Sequence, residues 1–176
     1  MKPIFSMITA HITSETIHST SSEAFSLYEK SRFGEKVRDR IEYSWVEALF
    51  LNNKKKLILK SKTKSLSFEE AITKARKQDK RIEAKLSLFE DLRSKGYLVK
   101  TALKFGADFR IYKKGSKIGQ DHALWLAYAV RESEPHTWHD FAAKNRVAHS
   151  TKKKLLIGIV DDENDVLYYE VSWLKP

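Results

Sequence analysis

The run HALWLAYAV, residues 122–130, constrains the fold of this chain more than any other stretch. Apolar residues occupy both alternating sets of positions, so neither face of a strand formed here could lie against water. Such a strand belongs in the middle of a sheet that is covered on both sides. The elements predicted around it are a helix at 82–95, strands at 97–102, 107–112, 155–160 and 166–173, and a short helix from Trp138 that is capped by Thr137.

The first half of the chain contains shorter elements with clear helix start signals. A charged break near Lys80, without proline or glycine, separates it from the second half. We therefore predict an α+β chain, with a small mixed α/β N-terminal domain at 1–80 and a domain with a central mixed β-sheet flanked by helices at 81–176. Two serine and glutamate pairs of the first half have the spacing of capping boxes, namely Ser44 with Glu47 and Ser67 with Glu70.

The chain is strongly basic. Its formal net charge is +10, from 33 lysines and arginines against 23 aspartates and glutamates. This excess favours an acidic partner such as nucleic acid, because neutralised phosphates release counterions; a solvated lysine-rich surface is the alternative. There is no cysteine, which excludes disulfides and thiolate metal sites. No apolar run reaches the roughly 18 residues of a membrane span, so we expect a soluble, cytoplasmic protein.

Three kinds of side chain suited to acid–base or electrostatic chemistry lie near the ends of the predicted strands. Alternation along GADFRIY places Tyr112 on one face with Asp108 and Arg110. His122 begins the predicted buried strand, and an imidazole is a natural proton donor near neutral pH. One lysine of residues 152–154 could point to the same place, although spacing does not select which. Together these groups could act on a polyanion without a metal or another cofactor, while each taken alone fits a structural role.

Other clusters give weaker signals. His136 and His139 have the i, i+3 spacing of metal ligands, but no third ligand is evident. The acidic residues at 161–165 lack the glycine and the final glutamate of a calcium-binding loop, and fit a solvated turn or a contact with a basic surface. Gly115 and Gly119 do not link a strand to a helix in the pattern that nucleotide-binding loops require.

The motifs FGADFRIYKKG and RVAHSTKKKLLIGIVD, with His122 between them, resemble the catalytic domain of the archaeal tRNA-splicing (tRNA-intron) endonucleases in both order and spacing. The resemblance is detailed over about residues 80–176. It is looser in the first half, where LYEKSRFGE and EALFLNNKKKLIL are similar to the amino-terminal domain of that family. It implies a restriction-endonuclease-like fold for the second half.

The same resemblance implies the residues of the site. Tyr112, His122 and Lys153 match the catalytic tyrosine, histidine and lysine of the family. Arg146 matches an arginine that stacks on a bulged RNA base. A second stacking arginine has no match near the carboxyl terminus, where the bulky residues are Tyr168 and Trp173.

The chemistry implied by the resemblance is metal-free transesterification at the bulge-helix-bulge splice sites of a pre-tRNA. Tyr112 would help to remove the proton of the ribose 2′-hydroxyl, His122 would protonate the leaving 5′-oxygen, and Lys153 would stabilise the phosphorane. The products would carry a 2′,3′-cyclic phosphate and a 5′-hydroxyl. An ordinary tyrosine, with a pKa of about 10, is a poor base at neutral pH, so the mechanism needs positive charge nearby.

The resemblance further implies an assembly, either a homotetramer or a dimer of heterodimers with a structural subunit. The acidic residues Asp161, Asp162 and Asp165 would contact a basic pocket of a neighbouring subunit, and the final strand would form a dimer edge. Two other hypotheses stay open. The chain could be a non-catalytic RNA-binding or assembly subunit of the same enzyme, or a metal-dependent nuclease that uses Asp108 and Asp121.

Overall fold

The computed structural model describes residues 7–14 and 16–174 of the chain. The chain divides into two compact units, Met1–Ile82 and Glu83–Pro176, and the predicted boundary near Lys80 lies close to this division. Within the described residues, none of the helices has both the length and the apolar composition needed to cross a bilayer.

The N-terminal unit contains a six-stranded sheet and three helices. The strand order is β3-β4-β2-β1-β5-β6, in which β1 pairs with β5 in parallel and the other neighbours are antiparallel. Its elements are β1 Ile8–Ile12, β2 Ile17–Ser19, α1 Ser22–Ser31, β3 Glu35–Val37, β4 Arg40–Tyr43, α2 Trp45–Asn53, β5 Leu57–Ser61, β6 Lys64–Leu66 and α3 Phe68–Gln78.

Side-chain caps fix where the helices of this unit begin. The capping boxes predicted at the starts of α2 and α3 are both formed: Ser44 with Glu47, and Ser67 with Glu70. The Glu47 carboxylate is buried and also accepts a hydrogen bond from the Gly34 amide at 2.9 Å. It therefore ties the first turn of α2 to the loop that follows α1.

The C-terminal unit is built on a five-stranded mixed sheet of order β11-β10-β9-β8-β7. The central strand β9 runs parallel to β10 and antiparallel to β8. The elements are α4 Ile82–Ser94, β7 Leu98–Ala102, β8 Ala107–Tyr112, β9 Trp125–Arg131, α5 Trp138–Ser150, β10 Lys154–Val160 and β11 Val166–Val171. Five consecutive residues of β9 are buried, as the apolar run at 122–130 predicted.

The two helices of this unit cover opposite faces of the sheet. On one face, Phe89 of α4 packs on Phe109 of β8, with ring centroids 5.7 Å apart. On the other face, Ala148 of α5 packs in one cluster with Leu126 and Leu155, which are partners in the β9–β10 register. The predicted architecture, a mixed sheet flanked by helices, is confirmed.

The element boundaries differ from the prediction in several places. The central strand begins at Trp125 rather than at residue 122, because the residues before it belong to a hydrogen-bonded loop. The helix that starts at Trp138 runs for 13 residues and is not short, although Thr137 caps it as predicted. The last strand ends at Val171, two residues before the predicted end. Strands β1 to β4 and β6, which have three to five residues each, were not predicted.

Candidate active site

Leu124 connects three strand ends at one edge of the C-terminal sheet. Its amide donates to the Ile111 carbonyl at 2.8 Å, and its carbonyl accepts from the Lys154 amide at 3.1 Å. Ile111 immediately precedes Tyr112, and Lys154 immediately follows Lys153. The end of β8 and the starts of β9 and β10 therefore meet here. The backbone brings Tyr112, the loop that carries His122, and Lys153 to the same end of the sheet.

Tyr112 is the last residue of β8, and its position is fixed by packing. It is 5% exposed and belongs to a buried cluster with Leu98 and Ala123, against which Ile118 also packs. Alternation along β8 groups Tyr112 with the charged residues Asp108 and Arg110. The ring is instead held between β7 and the loop before β9, so Tyr112 is oriented by apolar contacts.

His122 lies in the loop before β9 and is exposed, so its predicted position as the first residue of the buried strand is wrong. The loop turns tightly just before it. The Asp121 carboxylate accepts a hydrogen bond from the Lys117 amide at 2.6 Å, and a β-bridge joins Ile118 to Asp121. Gly119 has a φ of +93°, a conformation that other residues rarely adopt. The imidazole is thus placed beside the buried cluster but faces solvent.

The C-terminus of α5 determines the direction of the lysine run. The Lys153 amide donates to the Ala148 carbonyl at 2.9 Å, and the Lys152 amide donates to the His149 carbonyl at 2.9 Å. Lys152 has a φ of +55°. These are the two hydrogen bonds and the left-handed residue of a Schellman motif. The chain reverses at Lys152, and Lys153 leads into β10, which begins at Lys154.

Of the three lysines at 152–154, Lys153 is the half-buried one. Its Nζ donates to the Thr151 carbonyl at 2.8 Å and lies 5.2 Å from the centroid of the Phe105 ring. Burial, and secondarily the positive charge of Arg110, lowers the pKa of Lys153 below that of an ordinary lysine. Its environment is therefore distinct from that of a solvated lysine.

The neighbouring lysines have other positions. Lys154 forms an ion pair with Glu170 of β11 at 2.6 Å, and Trp125 donates to the same carboxylate at 2.7 Å. Both hydrogen bonds lower the pKa of Glu170, and the one from Lys154 has the larger effect. Lys152 is exposed at the helix end. The spacing of the sequence could not distinguish the three lysines, whereas the helix end and this ion pair do.

An open depression of about 650 Å³ lies at this end of the sheet. Its lining comes from the start of β9 and from the end of α5 with the residues that follow: Ala123, Leu124, His149, Ser150, Lys152, Lys153 and Lys154. One histidine and three lysines thus line a space that is open to solvent, and His122 precedes Ala123 of this lining in the chain. Such a surface suits an anionic polymer better than an enclosed small molecule.

The bulky residues near the carboxyl terminus have different environments. Arg146 is exposed on α5, one turn before His149. The His149 ring lies 4.6 Å from that of Trp173, which is 56% exposed. The Tyr168 hydroxyl instead donates to the Asp91 carboxylate of α4, and burial, with that hydrogen bond, raises the pKa of Tyr168. His149 was not identified from the sequence, although its position in the motif RVAHSTKKK could have indicated it.

The acidic turn between β10 and β11 is organised by one of its own side chains. The Asp161 carboxylate accepts from the amides of Glu163 at 3.0 Å and Asp165 at 2.8 Å. Arg131 donates to the Asp161 carbonyl at 2.9 Å. Asp162, Glu163 and Asp165 are exposed. Asp161 therefore shapes the turn, and the other acidic residues present their charge to solvent.

The carboxylates considered for a metal site are engaged elsewhere. Asp108 pairs with Lys85 at 3.0 Å and accepts from the Ala129 amide at 2.9 Å, while Asp121 accepts from the loop amide described above. Across residues 7–14 and 16–174, no three histidine, cysteine or acidic residues are grouped closely enough to hold a metal ion. His136 and His139 thus have no third ligand among the described residues.

Comparison with known proteins gives one consistent result for both units. Residues 82–168 match the family model described as tRNA intron endonuclease, catalytic C-terminal domain, and residues 8–72 match the N-terminal domain of that family. The chain is similar to proteins named tRNA-splicing endonuclease from three archaea. The one from Nanoarchaeum equitans is 44% identical over 151 residues, which cover 82% of this chain and 97% of that protein.

The relative from Methanothermobacter thermautotrophicus is 38% identical over 161 residues, covering 92% of this chain and 93% of that protein. The relative from Thermococcus onnurineus is 39% identical over 149 residues, covering 85% of each. Both domain models match, and these relatives span most of the chain. The chain therefore belongs to the tRNA intron endonuclease family.

Proposed function

We propose that this chain is a catalytic subunit that excises introns from pre-tRNA by cutting at bulge-helix-bulge splice sites. The observation that carries the proposal is the double hydrogen bond of Leu124, which brings the ends of three strands to one edge. Through it, Tyr112, the loop that carries His122, and Lys153 reach the end of the sheet at which the open depression lies. A non-catalytic subunit of the family would not need these three side chains together.

The proposed chemistry needs only the side chains of this edge. Tyr112, in its phenolate form, takes the proton of the ribose 2′-hydroxyl, and the 2′-oxygen attacks the adjacent phosphorus. The bond from phosphorus to the 5′-oxygen breaks, and His122 gives its proton to that oxygen. Lys153 stabilises the negative charge that builds on the phosphorane. The products are a 2′,3′-cyclic phosphate and a 5′-hydroxyl, and no step of this scheme requires a metal ion.

The surroundings of the trio support RNA as the substrate. The depression is open and lined by lysines, and Arg146 is exposed on α5, the helix that ends at Ser150. A guanidinium plane can stack on an unpaired base, which is how single-stranded RNA is commonly held. We propose that Arg146 holds a bulged base in this way while the phosphate beside it occupies the depression.

We further propose that the active enzyme is an assembly, either a homotetramer or a dimer of heterodimers with a structural subunit. The strand β11 lies at the edge of its sheet, and its residues Leu167 and Tyr169 are 60% and 55% exposed. Exposed apolar residues on an edge strand favour pairing with another chain. Asp162 and Asp165 supply negative charge for a basic pocket on a neighbouring subunit.

The test is incubation of the purified protein with an intron-containing pre-tRNA, with and without EDTA, beside a His122→Ala variant. We expect cutting at both splice sites in EDTA, 5′-hydroxyl ends that accept phosphate from polynucleotide kinase, and loss of cutting in the variant. Loss of cutting in EDTA, or undiminished cutting by the variant, would contradict the proposal. Gel filtration of the same sample measures the size of the assembly. An inactive sample that is smaller than a tetramer is one that lacks its partner subunits.

A further inference from the structure

The N-terminal unit repeats the local structure that carries Lys153. The helices α2 and α5 begin with the same kinds of residue, which are a capping serine or threonine, a tryptophan and, two residues later, an acidic residue. Each helix is followed by a run of three lysines, at 54–56 and at 152–154, that leads into a strand. Both strands run parallel to a neighbour, β5 to β1 and β10 to β9. The two lysine runs therefore lie in the same kind of place, between a helix end and a parallel strand.

The backbone at the end of α2 has the hydrogen bonds that are found at the end of α5. The Lys55 amide donates to the Asn52 carbonyl at 3.0 Å, and the Lys56 amide donates to the Leu51 carbonyl at 2.9 Å. Lys55 has a φ of +54°. These features make a second Schellman motif, which reverses the chain at Lys55.

The two motifs assign a counterpart to each lysine that follows the turn. Lys55 corresponds to Lys152, since both have a positive φ, and Lys56 corresponds to Lys153, since both are the last residue before a strand. Lysines at this place also offset the partial negative charge of the last helical carbonyls. Their charge alone therefore does not identify a binding site, and a second feature is needed.

That feature is a cavity of about 270 Å³ beside the end of α2, here called the lysine pocket. Its charged and hydroxyl-bearing lining residues are Lys30, Lys55, Lys56, Glu23, Ser26 and Ser31. Three lysines against one glutamate give an excess of positive charge. Ammonium and hydroxyl groups are donors that proteins commonly use for the phosphates of nucleic acids. The described part of the lining has neither a histidine nor a tyrosine, so it lacks the proton-transfer groups of the candidate active site.

We propose that the lysine pocket binds a backbone phosphate of the pre-tRNA through Lys55 and Lys56, without cleaving it. The N-terminal unit then adds to the affinity for RNA, because each neutralised phosphate releases counterions. A phosphate is favoured over a carboxylate of another protein chain because Lys56 corresponds to Lys153, the lysine that faces a phosphate in the proposed reaction. In this step the inference rests on the proposed function.

The first measurement maps the contact in the wild-type full chain. Acetic anhydride modifies exposed lysines, and mass spectrometry of the peptides gives the rate at each lysine with and without RNA. The RNA is an intron-containing pre-tRNA with 2′-deoxyribose at both splice sites, which has no hydroxyl for the proposed attack. We expect bound RNA to slow the modification of Lys55 and Lys56 severalfold. Lys62, which is exposed between β5 and β6, should react equally fast with and without RNA.

The second measurement is the dependence of the affinity for this RNA on salt. The logarithm of Kd changes linearly with the logarithm of the salt concentration, and the slope reports the number of neutralised phosphates. We expect the combined Lys55→Gln and Lys56→Gln variant to bind more weakly and to reduce the slope by about one. The matched control combines Lys62→Gln with Lys77→Gln, which removes the same charge from exposed lysines of the same unit. Lys62 has the same φ of +54° as Lys55, and the control should keep the wild-type slope.

The outcomes separate this inference from the proposed function. Protection of both pocket lysines together with a reduced slope supports the RNA contact. Absence of protection, or equal slopes in the pocket variant and the control, overturns it and leaves the proposed cleavage chemistry intact. A pocket variant that sediments without RNA as a smaller assembly than the wild type also overturns it, because the pocket would then hold an acidic segment of another copy.

Two further results are decisive. If circular dichroism shows that the pocket variant is unfolded, the protection of Lys55 and Lys56 in the wild type decides alone. A wild type that does not bind the uncleavable pre-tRNA, alone or with a partner subunit, overturns both the inference and the proposed function.

Discussion

The two ends of the C-terminal sheet carry opposite charges. At one end, where Tyr112, the His122 loop and Lys153 meet, an open depression is lined by the lysines at 152–154. At the other end, the turn at 161–165 presents three exposed acidic side chains. The strand β10 links both ends, since it starts at Lys154 and finishes at Val160. Its seven residues place the two ends about 20 Å apart.

This separation has an electrostatic consequence. Charges on a protein surface are largely screened beyond a Debye length, which is about 8 Å at physiological ionic strength. The acidic turn therefore does not weaken the attraction of the basic end for a phosphate. One sheet can hold a site for a polyanion and an acidic contact for another subunit. We expect substitutions at one end to affect the chemistry of cleavage, and substitutions at the other end to affect assembly.

The largest effect is expected for His122→Ala. Removal of a general acid lowers a rate by about 10² to 10⁴. The side chain is exposed, so the melting temperature and the elution volume should not change. Single-turnover cleavage of pre-tRNA measures the loss. The matched control is His136→Ala, which removes another exposed histidine and should cleave at nearly the wild-type rate. Cleavage by the His122→Ala variant at the rate of this control would remove His122 from the mechanism.

A smaller but still large effect is expected for Lys153→Ala, with a loss of about 10² to 10³ in the cleavage rate at saturating RNA. The controls are Lys152→Ala, which removes an exposed charge, and Lys154→Ala, which removes the ion pair to Glu170. Exposed ion pairs contribute about 0–1 kcal/mol to stability. These two variants should lose affinity for RNA more than rate. Equal rate losses in all three would mean that only the total charge of the run matters.

The opposite end is tested by Asp162→Asn combined with Asp165→Asn. Loss of charged contacts between subunits should weaken the assembly by about tenfold or more. Sedimentation at several protein concentrations measures this, and cleavage should become dependent on protein concentration. At high concentration the pH profile should match the wild type. Glu132→Gln removes a charge from the same end of the sheet and serves as the control. A changed pH profile in the fully assembled double variant would contradict the independence of the two ends.

The smallest effects on cleavage and on assembly are expected for Gly158→Ala, in the middle of β10. A Cβ at this position would lie 2.5 Å from Cδ1 of Leu88 on α4. Overpacking of this kind lowers the free energy of unfolding by about 1–3 kcal/mol, which urea denaturation measures. Below the unfolding transition, cleavage and assembly should both persist. In a Leu88→Ala background the substitution should cost less, because the clash is removed.

The sequence predicted elements whose signals are local. The capping boxes at Ser44 and Ser67 and the cap at Thr137 are formed because a serine or threonine can satisfy the first free amides of a helix. The strands β1 and β2 gave no such signal. Their few buried residues alternate with polar ones such as His18, within a stretch rich in serine and threonine. Short strands depend on their partners in the sheet, which a single sequence does not show.

In the candidate site, too, local features could be predicted from the sequence and features that depend on tertiary contacts could not. The order of Tyr112, His122 and Lys153 could be matched to a known family, whereas the environment of each depended on tertiary contacts. The apolar pair Ala123 and Leu124 extended the hydrophobic pattern and made residue 122 look like the start of a strand, although the bridge from Ile118 to Asp121 keeps it in a loop. The choice among the lysines depended on the left-handed conformation of Lys152, which periodicity does not report.

The central claim is that the basic end of the sheet cleaves RNA with His122 as the proton donor. A pre-tRNA with sulfur in place of the 5′-oxygen at the splice site tests it most directly, because a thiolate leaves without being protonated. On this substrate His122→Ala should cleave almost as fast as the wild type, while Tyr112→Phe should remain slow. A His122→Ala variant that stays as slow on the sulfur substrate as on the natural one would contradict the assignment.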